Sequence, residues 1–440
     1  MSALPQEKLT LAMLPHDILK VILEYSHDAE SLLSTIVSCR AFYEAFNTTP
    51  SSVMKAFVSR QIGAAVLPEA IQTLKAASFR CHGVSDLSDW ELPPTAYRLF
   101  SDGRNALLNY QWNLSGGVAA VRFHSLVDDF AQRFASESLF WLQNNSDCEE
   151  DKYEEVWYDE VDPPSSQERA RIQRALYRFE TYCSLFPPRN GVASPNFDAQ
   201  FPVFSSLSVL EREQLASIYE YLWRDTIPDF NEVALHNITW GNFNVSLARE
   251  FLHDKHVEWI ISRGLRFIYN FYHAETDSQR LQLYCCDKPG TAHHFLGAAF
   301  SHYKSHQVLE ARAAASKKIS KQPSMPFYND PDPGPERIWR RSHEPFWPLT
   351  TDFAQEEEYT SERHCGFVFW DERRLTSTGW LNKDWARDEI IVDEWELVYE
   401  ETPSWEEEEE SWNARSALFQ KGILGYWDWD MDFDLTIRKE

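Results

Sequence analysis

The chain has 440 residues, 43% of them hydrophobic and 14% aromatic, which is enough apolar material for a substantial buried core. Asp and Glu number 68 against 42 Lys and Arg, so the formal net charge at pH 7 is −26. That charge repels nucleic-acid phosphates and anionic membranes, and we expect neither as a partner. The seven cysteines form no CxxC pair, and the N-terminus has neither a secretion-signal pattern nor a membrane-spanning apolar run. These features predict an intracellular protein, cytoplasmic or nuclear, with reduced thiols.

The N-terminal residues have the apolar spacing of short amphipathic helices. Helix starts are marked by capping residues or prolines, at Pro15, Asp28, Thr49 with Pro50, and Pro68. The second helix is predicted to run without a break to about Asn47, because apolar residues recur along it at three- and four-residue spacing. The third is predicted to stop around Gly63. Together they indicate a helical unit over 10–78.

Helical spacing continues through the middle of the chain, and strand patterns are scarce. Further helices are predicted at about 119–144, 166–185, 208–224, 254–272 and 293–320. The short runs FVFW (367–370) and IIV (390–392) fit either strands or buried turns. Five prolines in 322–336 exclude a continuous helix and predict a connector between a helical domain (79–321) and a C-terminal segment (337–440). We therefore predict a mainly α fold.

The acidic charge is concentrated in two segments. Residues 147–162 contain nine carboxylates and one Lys, and residues 352–440 contain 25 carboxylates and nine Lys or Arg. Ten of the 17 Trp follow residue 338. We predict a folded, acidic C-terminal segment whose rings either pack inward or bind a basic, partly apolar stretch of a protein substrate. The run from Glu406 to Glu410 is predicted to be an exposed linker.

A Leu-Pro pair at the first helix start is followed by paired aliphatic residues one turn apart and then by a Leu-rich segment. The residues of this pattern are Leu14-Pro15, Ile18-Leu19, Ile22-Leu23, Leu32-Leu33, Ile36, Cys39-Arg40 and Phe42. Through them, residues 12–50 resemble an F-box, and they are also similar to the N-termini of fungal families of F-box-like proteins. A second segment, RHCGFVFWDERRL (363–375), is similar to a Gly-aromatic-Val-x-Trp-Asp segment near the C-termini of such proteins.

The resemblance implies that the N-terminal helical unit docks on the Skp-type adaptor of an SCF-type ubiquitin ligase, while the rest of the chain binds a protein substrate. By the family pattern, the residues in contact with the adaptor are Leu14, Pro15, Ile18, Leu19 and Leu32. By the same pattern, the residues of internal packing are Ile22, Leu33, Ile36 and Phe42. Apolar residues on more than one side of a short helix suit this role, because one small helical unit cannot bury so wide a patch.

His and Cys residues are concentrated in one segment. Its members are Cys285, Cys286, His293, His294, His302 and His306. His302 and His306 share a helical face, as metal-binding His pairs do, but no HExxH motif is present. Phe295, Ala299 and Leu309 fall on the same stripe, which favours the margin of a packed face. We therefore predict no metal and no other cofactor, with this His pair as the candidate if a metal is bound.

Motifs for acyl transfer or nucleotide binding, such as GxSxG and GxxxxGKS/T, do not occur in the sequence. We therefore predict a protein that is not an enzyme. Two alternatives stay open. One is a metal-dependent helical enzyme that uses the Cys/His cluster at 285–306. The other is a protein-interaction scaffold that works without the adaptor, through acidic docking.

Overall fold

The computed structural model describes residues 11–81, 109–144, 162–187, 203, 206–243, 245–248, 254–274, 277–284, 290–292, 295–296, 330–343, 360–382 and 403–429. Over these ranges the fold is mainly α-helical, as predicted, and they contain no β-strand. The N-terminal part contains α1 (His16–Glu24), α2 (Ala29–Ser38), α3 (Arg40–Thr48), α4 (Pro50–Ile62) and α5 (Leu67–Cys81). The middle part contains α6 (Leu114–Asn144), α7 (Ser166–Leu185), α8 (Val209–His236), α9 (Lys255–Ser262), α10 (Leu265–Tyr272) and α11 (Asp277–Tyr284). The C-terminal part contains α12 (Gly334–His343), α13 (Thr360–His364), α14 (Glu372–Ser377) and α15 (Trp405–Gln420).

The N-terminal helices begin at the positions predicted from capping residues and prolines. The Asp28 carboxylate accepts the backbone N–H of Ser31 at 2.7 Å and so caps α2. Pro50 occupies the first position of α4, where a missing N–H costs no hydrogen bond. Gly63, at a positive φ of 80°, ends that helix.

The predicted unbroken helix to Asn47 is wrong, because the chain breaks at Cys39. Cys39 has extended backbone angles (φ −158°, ψ 162°) and separates α2 from α3. The apolar phase shifts across the break: Ile36 and Phe42 are buried, whereas Tyr43 is exposed. The break lets both short helices bury their own apolar face.

Helix α7 lies at the centre of the fold, packed against α5, α6 and α8. Its bounds are those predicted, 166–185, and Ser165 and Glu168 form a reciprocal capping box at its start. Most of its residues are buried. A second capping box begins α8, which continues beyond the predicted 208–224 as far as His236.

The predicted helix 254–272 is divided at Gly264 into α9 and α10. Gly264 has a positive φ of 89°, and a Cβ there would lie 2.6 Å from a carboxylate oxygen of Glu180. That same carboxylate accepts the backbone N–H of Leu265 at 2.7 Å. Glycine is therefore needed both for the turn and for the close approach of α7. Most of the predicted helix 293–320 lies outside the described residues.

The described part of the predicted connector at 322–336 is packed against the helices. Asp330 accepts two hydrogen bonds, of 2.6 and 2.8 Å, from the guanidinium of Arg171 in α7. Asp332 accepts the backbone N–H of Gly334, at the start of α12, at 2.8 Å. Asp330 and Asp332 therefore attach this part of the connector to the helices beside it.

Two further predictions for the C-terminal part, at FVFW and at Glu406–Glu410, can be compared with the structure. The segment FVFW forms a buried 3-10 turn, Phe367–Phe369, which is the second of the two predicted alternatives. The segment 390–392 lies outside the described residues. The run Glu406–Glu410, predicted to be a linker, belongs to α15 because Ser404 and Glu407 form a capping box. Carboxylates in the first turn also favour the positive end of the helix.

A single hydrophobic cluster runs through most of the described helices, from Leu19 in α1 to Leu381 beyond α14. It crosses the predicted unit boundaries near 78 and at 322–336. A small second cluster of Ile238, Leu418 and Trp427 attaches α15 to the end of α8. The predicted units therefore share one core over the described residues.

Candidate functional site

Helix α1 is apolar on two opposite sides, and only one of them is buried. Leu19 and Leu23, one turn apart, are 0% exposed and face the core. On the other side, Ile18, Val21 and Tyr25 are 47%, 46% and 68% exposed. Their spacing of three and four residues places them on one stripe of the helix, which we call the outer stripe of α1.

Other exposed apolar side chains lie close to this stripe in the chain. Seven of the eleven large hydrophobic residues found exposed in the described ranges fall within residues 11–43: Leu11, Met13, Ile18, Val21, Tyr25, Val37 and Tyr43. Helix α3 contacts the 3-10 turn at Leu11–Met13, α1 and α2, so all seven belong to one small helical unit. We call them the N-terminal apolar surface. Such a concentration is typical of an interaction site.

The end of the outer stripe is fixed to α4. The Arg60 guanidinium lies over the Tyr25 ring, 5.1 Å from its centroid, and donates hydrogen bonds to the carbonyls of Glu24 and Ser26. Gln61 donates to the carbonyls of Ser26 and His27 at 3.1 and 2.6 Å. The α1–α2 turn is thus held by two neighbouring side chains, and the surface is preorganised.

Two ion pairs beside the surface lie within single helices. Lys20 lies 3.6 Å from Glu24 on α1, and Arg40 lies 2.6 Å from Glu44 on α3. These exposed pairs contribute little stability, and in each the carboxylate offsets the charge of its own cation. Apolar burial is therefore the main attraction that this surface offers a partner.

The structure divides the predicted adaptor contacts into two groups. Pro15 and Ile18 are exposed and Leu14 is partly buried, so all three are accessible on the surface. Leu19 and Leu32 are completely buried in the core, which corrects their expected role: they support the surface from beneath. Among the residues predicted for internal packing, Ile36 and Phe42 are buried, and Ile22 and Leu33 are partly buried against the core.

Sequence reasoning missed Val21 and Tyr25. The signal was present, because residues 14, 18, 21 and 25 recur at the helical spacing of four, three and four. That stripe competes with the stripe through Leu19 and Leu23, and spacing alone does not tell which one faces the core.

The C-terminal tryptophans are divided between core and surface. Four of those described are buried: Trp339, Trp370, Trp380 and Trp427. Three are exposed: Trp405, Trp412 and Trp429. The first of the two predicted alternatives, inward packing, therefore holds for the rings of 330–382. Exposed rings occur beside the acidic residues of α15.

Arginines buried in the core join the C-terminal segments to the central helices. Arg171 is fully buried and donates to Asp371 at 2.7 Å and to the Phe369 carbonyl at 2.8 Å, in addition to its bonds to Asp330. Arg363 donates to Glu213 at 2.6 Å and also to Glu220. Burial raises the pKa of Glu220 to about 7.

Two partly buried acids lie nearby in the helical body. Burial raises the pKa of Asp225 to about 6. Glu137 accepts hydrogen bonds from Arg224 and His364 at 3.1 Å, and these partners outweigh its burial and lower its pKa. The two partners of Glu137 lie on other helices, an arrangement that suits packing between elements.

The predicted metal candidates, His302 and His306, and the Cys and His residues at 285, 286, 293 and 294 all lie outside the described residues. Within the described ranges, no group of three or more His, Cys, Asp or Glu is placed to hold a metal ion. None of the helices in those ranges combines the length and the apolar character that crossing a membrane requires.

Comparison with known proteins found no matching family model, no matching curated protein and no matching solved structure.

Proposed function

We propose that this protein is a substrate-recognition subunit of an SCF-type ubiquitin ligase and that its N-terminal helices bind a Skp-type adaptor. The observation that carries the proposal is the outer stripe of α1. Ile18, Val21 and Tyr25 stay exposed although the same helix has a second apolar face in the core. The F-box resemblance of residues 12–50 names the class of partner that would cover it.

Covering the outer stripe of α1 would contribute favourable free energy to binding. Ile18 and Val21 are already about half buried, so covering the rest of each contributes roughly 1 kcal/mol before the costs of association are subtracted. Tyr25 adds a large ring that Arg60 already orders, so little rotamer entropy is lost when it is covered. Three such side chains in a row form the kind of apolar centre around which binding energy concentrates.

The proposal is tested by co-expressing the full chain with a Skp-type adaptor and separating the products by size exclusion. We expect a stoichiometric complex that Ile18→Asp abolishes. Leu424→Asp is the matched control. Like Ile18, Leu424 is an exposed branched aliphatic residue, but it lies in the C-terminal part. Equal complex formation by wild type and folded Ile18→Asp protein would refute adaptor binding through this surface. No complex with either protein would favour the adaptor-independent scaffold.

Substrate selection is assigned to the rest of the chain. Deleting 336–440 would be a poor test of substrate binding, because Asp371 and Arg363 within it form buried contacts with α7 and α8. Point substitutions at exposed positions, such as Trp405→Ala and Trp412→Ala, leave those contacts intact. Loss of substrate capture in these variants would support the C-terminal surface expected from the sequence.

The alternative of a metal-dependent helical enzyme rests on the Cys/His cluster at 285–306. Elemental analysis of the purified full chain distinguishes it from the proposal. We expect no stoichiometric zinc. One tightly held zinc ion per chain would favour the metal-dependent alternative.

A further inference from the structure

A surface groove of about 440 Å³ lies between α5, α6, α7 and α10. Small side chains on two facing helices make room for it, with Ala70 and Ala77 on α5 and Ala119 and Ala120 on α6. It lies on the boundary between the last N-terminal helix and the central helices. A volume of this size accommodates one or two large apolar side chains.

Two aromatic residues from different helices line the groove. Phe123 belongs to α6 and Phe267 to α10, and both are only partly buried against the core. Leu74 of α5 is a further apolar lining residue. The walls therefore offer apolar area that the folded chain leaves accessible.

The polar groups in the floor are satisfied by neighbours. The Thr73 hydroxyl donates to the Tyr177 carbonyl at 3.0 Å and is also within hydrogen-bond distance of Thr181. The Tyr177 hydroxyl forms a hydrogen bond of 3.2 Å with His124. Glu180 accepts the backbone N–H of Leu265. A ligand that contacts these groups therefore does not need to supply hydrogen bonds to them.

One end of the groove carries positive charge. Arg263 and Arg266 line it and are exposed. The Arg263 guanidinium lies 5.5 and 5.6 Å from the ring centroids of Trp259 and Phe267, which places its charge directly beside the apolar wall. Glu180 is the one carboxylate among the described lining residues, which therefore include two cations and one anion. In a chain of net charge −26 this local sign is unusual.

We infer that this groove binds a short peptide segment of a partner protein in which a large apolar side chain stands next to a carboxylate. The apolar side chain would lie between the rings of Phe123 and Phe267, and the carboxylate would pair with Arg263 and Arg266. Because exposed residues form its rim, the groove is open to an extended or helical segment. Its role as the site of substrate capture rests on the proposed function, whereas peptide binding itself does not.

The test is a selection of short random peptides displayed on phage against the immobilised full-length protein, followed by fluorescence polarisation with the enriched peptides. We expect enrichment of sequences that pair Leu, Phe or Trp with Asp or Glu. Ala119→Trp should fill the groove and Arg266→Glu should repel the carboxylate, each weakening binding at least about tenfold. Gln132→Trp on the exposed face of α6 and Arg373→Glu on α14 are matched controls that should bind as wild type.

Three results would overturn the inference. One is enrichment of basic peptides whose binding depends on Trp405, which would place recognition on α15. Another is equal affinity for wild type, Ala119→Trp and Arg266→Glu. The third is no enrichment at all with protein whose circular dichroism is that of a folded helical chain. Adaptor binding is measured separately with the same variants, so a loss of peptide binding with intact adaptor binding distinguishes this site from the N-terminal surface.

Discussion

The N-terminal helices and the C-terminal segments at 330–382 place their side chains in opposite ways. The N-terminal unit leaves aliphatic and aromatic residues such as Ile18 and Tyr25 in solvent, whereas the C-terminal segments bury guanidinium groups such as Arg363. Contact between apolar side chains and water is unfavourable, and a partner that covers these side chains removes that cost. The first region is therefore a candidate interface. A buried arginine is tolerated only with its carboxylates in place, which makes the second region a rigid attachment to α7 and α8.

The largest expected effect is on the buried charges of the C-terminal region. Arg363→Met should lower the free energy of unfolding by about 3–5 kcal/mol, because Glu213 and Glu220 would lose their shared cation inside the core. The midpoint of urea unfolding measures the change. Arg373→Met, an exposed neighbour on the chain, should leave the midpoint unchanged. Equal midpoints for both variants would contradict the assignment of a stabilising role to the buried pair.

The two sides of α1 provide a contrast within one helix. Leu23→Ala should destabilise the protein by about 2–5 kcal/mol through loss of a fully buried side chain. Val21→Ala, two residues away on the exposed side, should change stability by less than about 0.5 kcal/mol. Thermal or urea unfolding of both variants checks this, and comparable losses would mean that the outer stripe is also packed in solution.

The raised pKa of Glu220 predicts that the stability of the protein depends on pH. Burial raises the pKa of Glu220 from 4.5 to about 7, so the folded protein retains a proton that the unfolded chain releases. Its contribution to stability is complete below pH 4.5 and is lost as the pH rises through about 7, with a slope of at most about 1.4 kcal/mol per pH unit. Glu220→Gln should therefore flatten this decline in urea midpoint, while Glu409→Gln on the exposed α15 should not. An unchanged slope in Glu220→Gln would argue against the raised pKa.

The smallest loss expected among the destabilising variants is at the cap of α2. Asp28→Ala removes the acceptor of the Ser31 N–H and should lower the unfolding midpoint. Asp28→Asn should recover most of the loss, because an amide oxygen also caps a helix. Unfolding midpoints for the three proteins test this, and an Asn variant as unstable as the Ala variant would indicate a role for the charge itself.

Local signals predicted much of the secondary structure. Residue composition and spacing predicted the bounds of α7, and Asp28 predicted the start of α2. The break at Cys39 was missed because the apolar residues before and after it fit one broad helical face until the phase shift is measured. The helix at Glu406–Glu410 was missed because a run of charge outweighed the capping signal at Ser404.

Long-range packing lay beyond the reach of the sequence. Arg171 binds Asp330 and Asp371, which are 159 and 200 positions away in the chain, and no local pattern marks such partners. For the same reason, the sequence predicted only part of the candidate surface. Spacing identifies two apolar stripes on α1, and only the packed structure tells that Leu19 faces inward and Val21 outward.

The most direct test of adaptor binding is titration calorimetry of the purified full chain with a purified Skp-type adaptor at two temperatures. We predict saturable binding of one adaptor per chain with a negative heat-capacity change, since apolar area is buried, and no measurable binding by Val21→Asp. Wild-type affinity in a folded Val21→Asp protein, or a heat-capacity change near zero, would contradict binding through the outer stripe of α1.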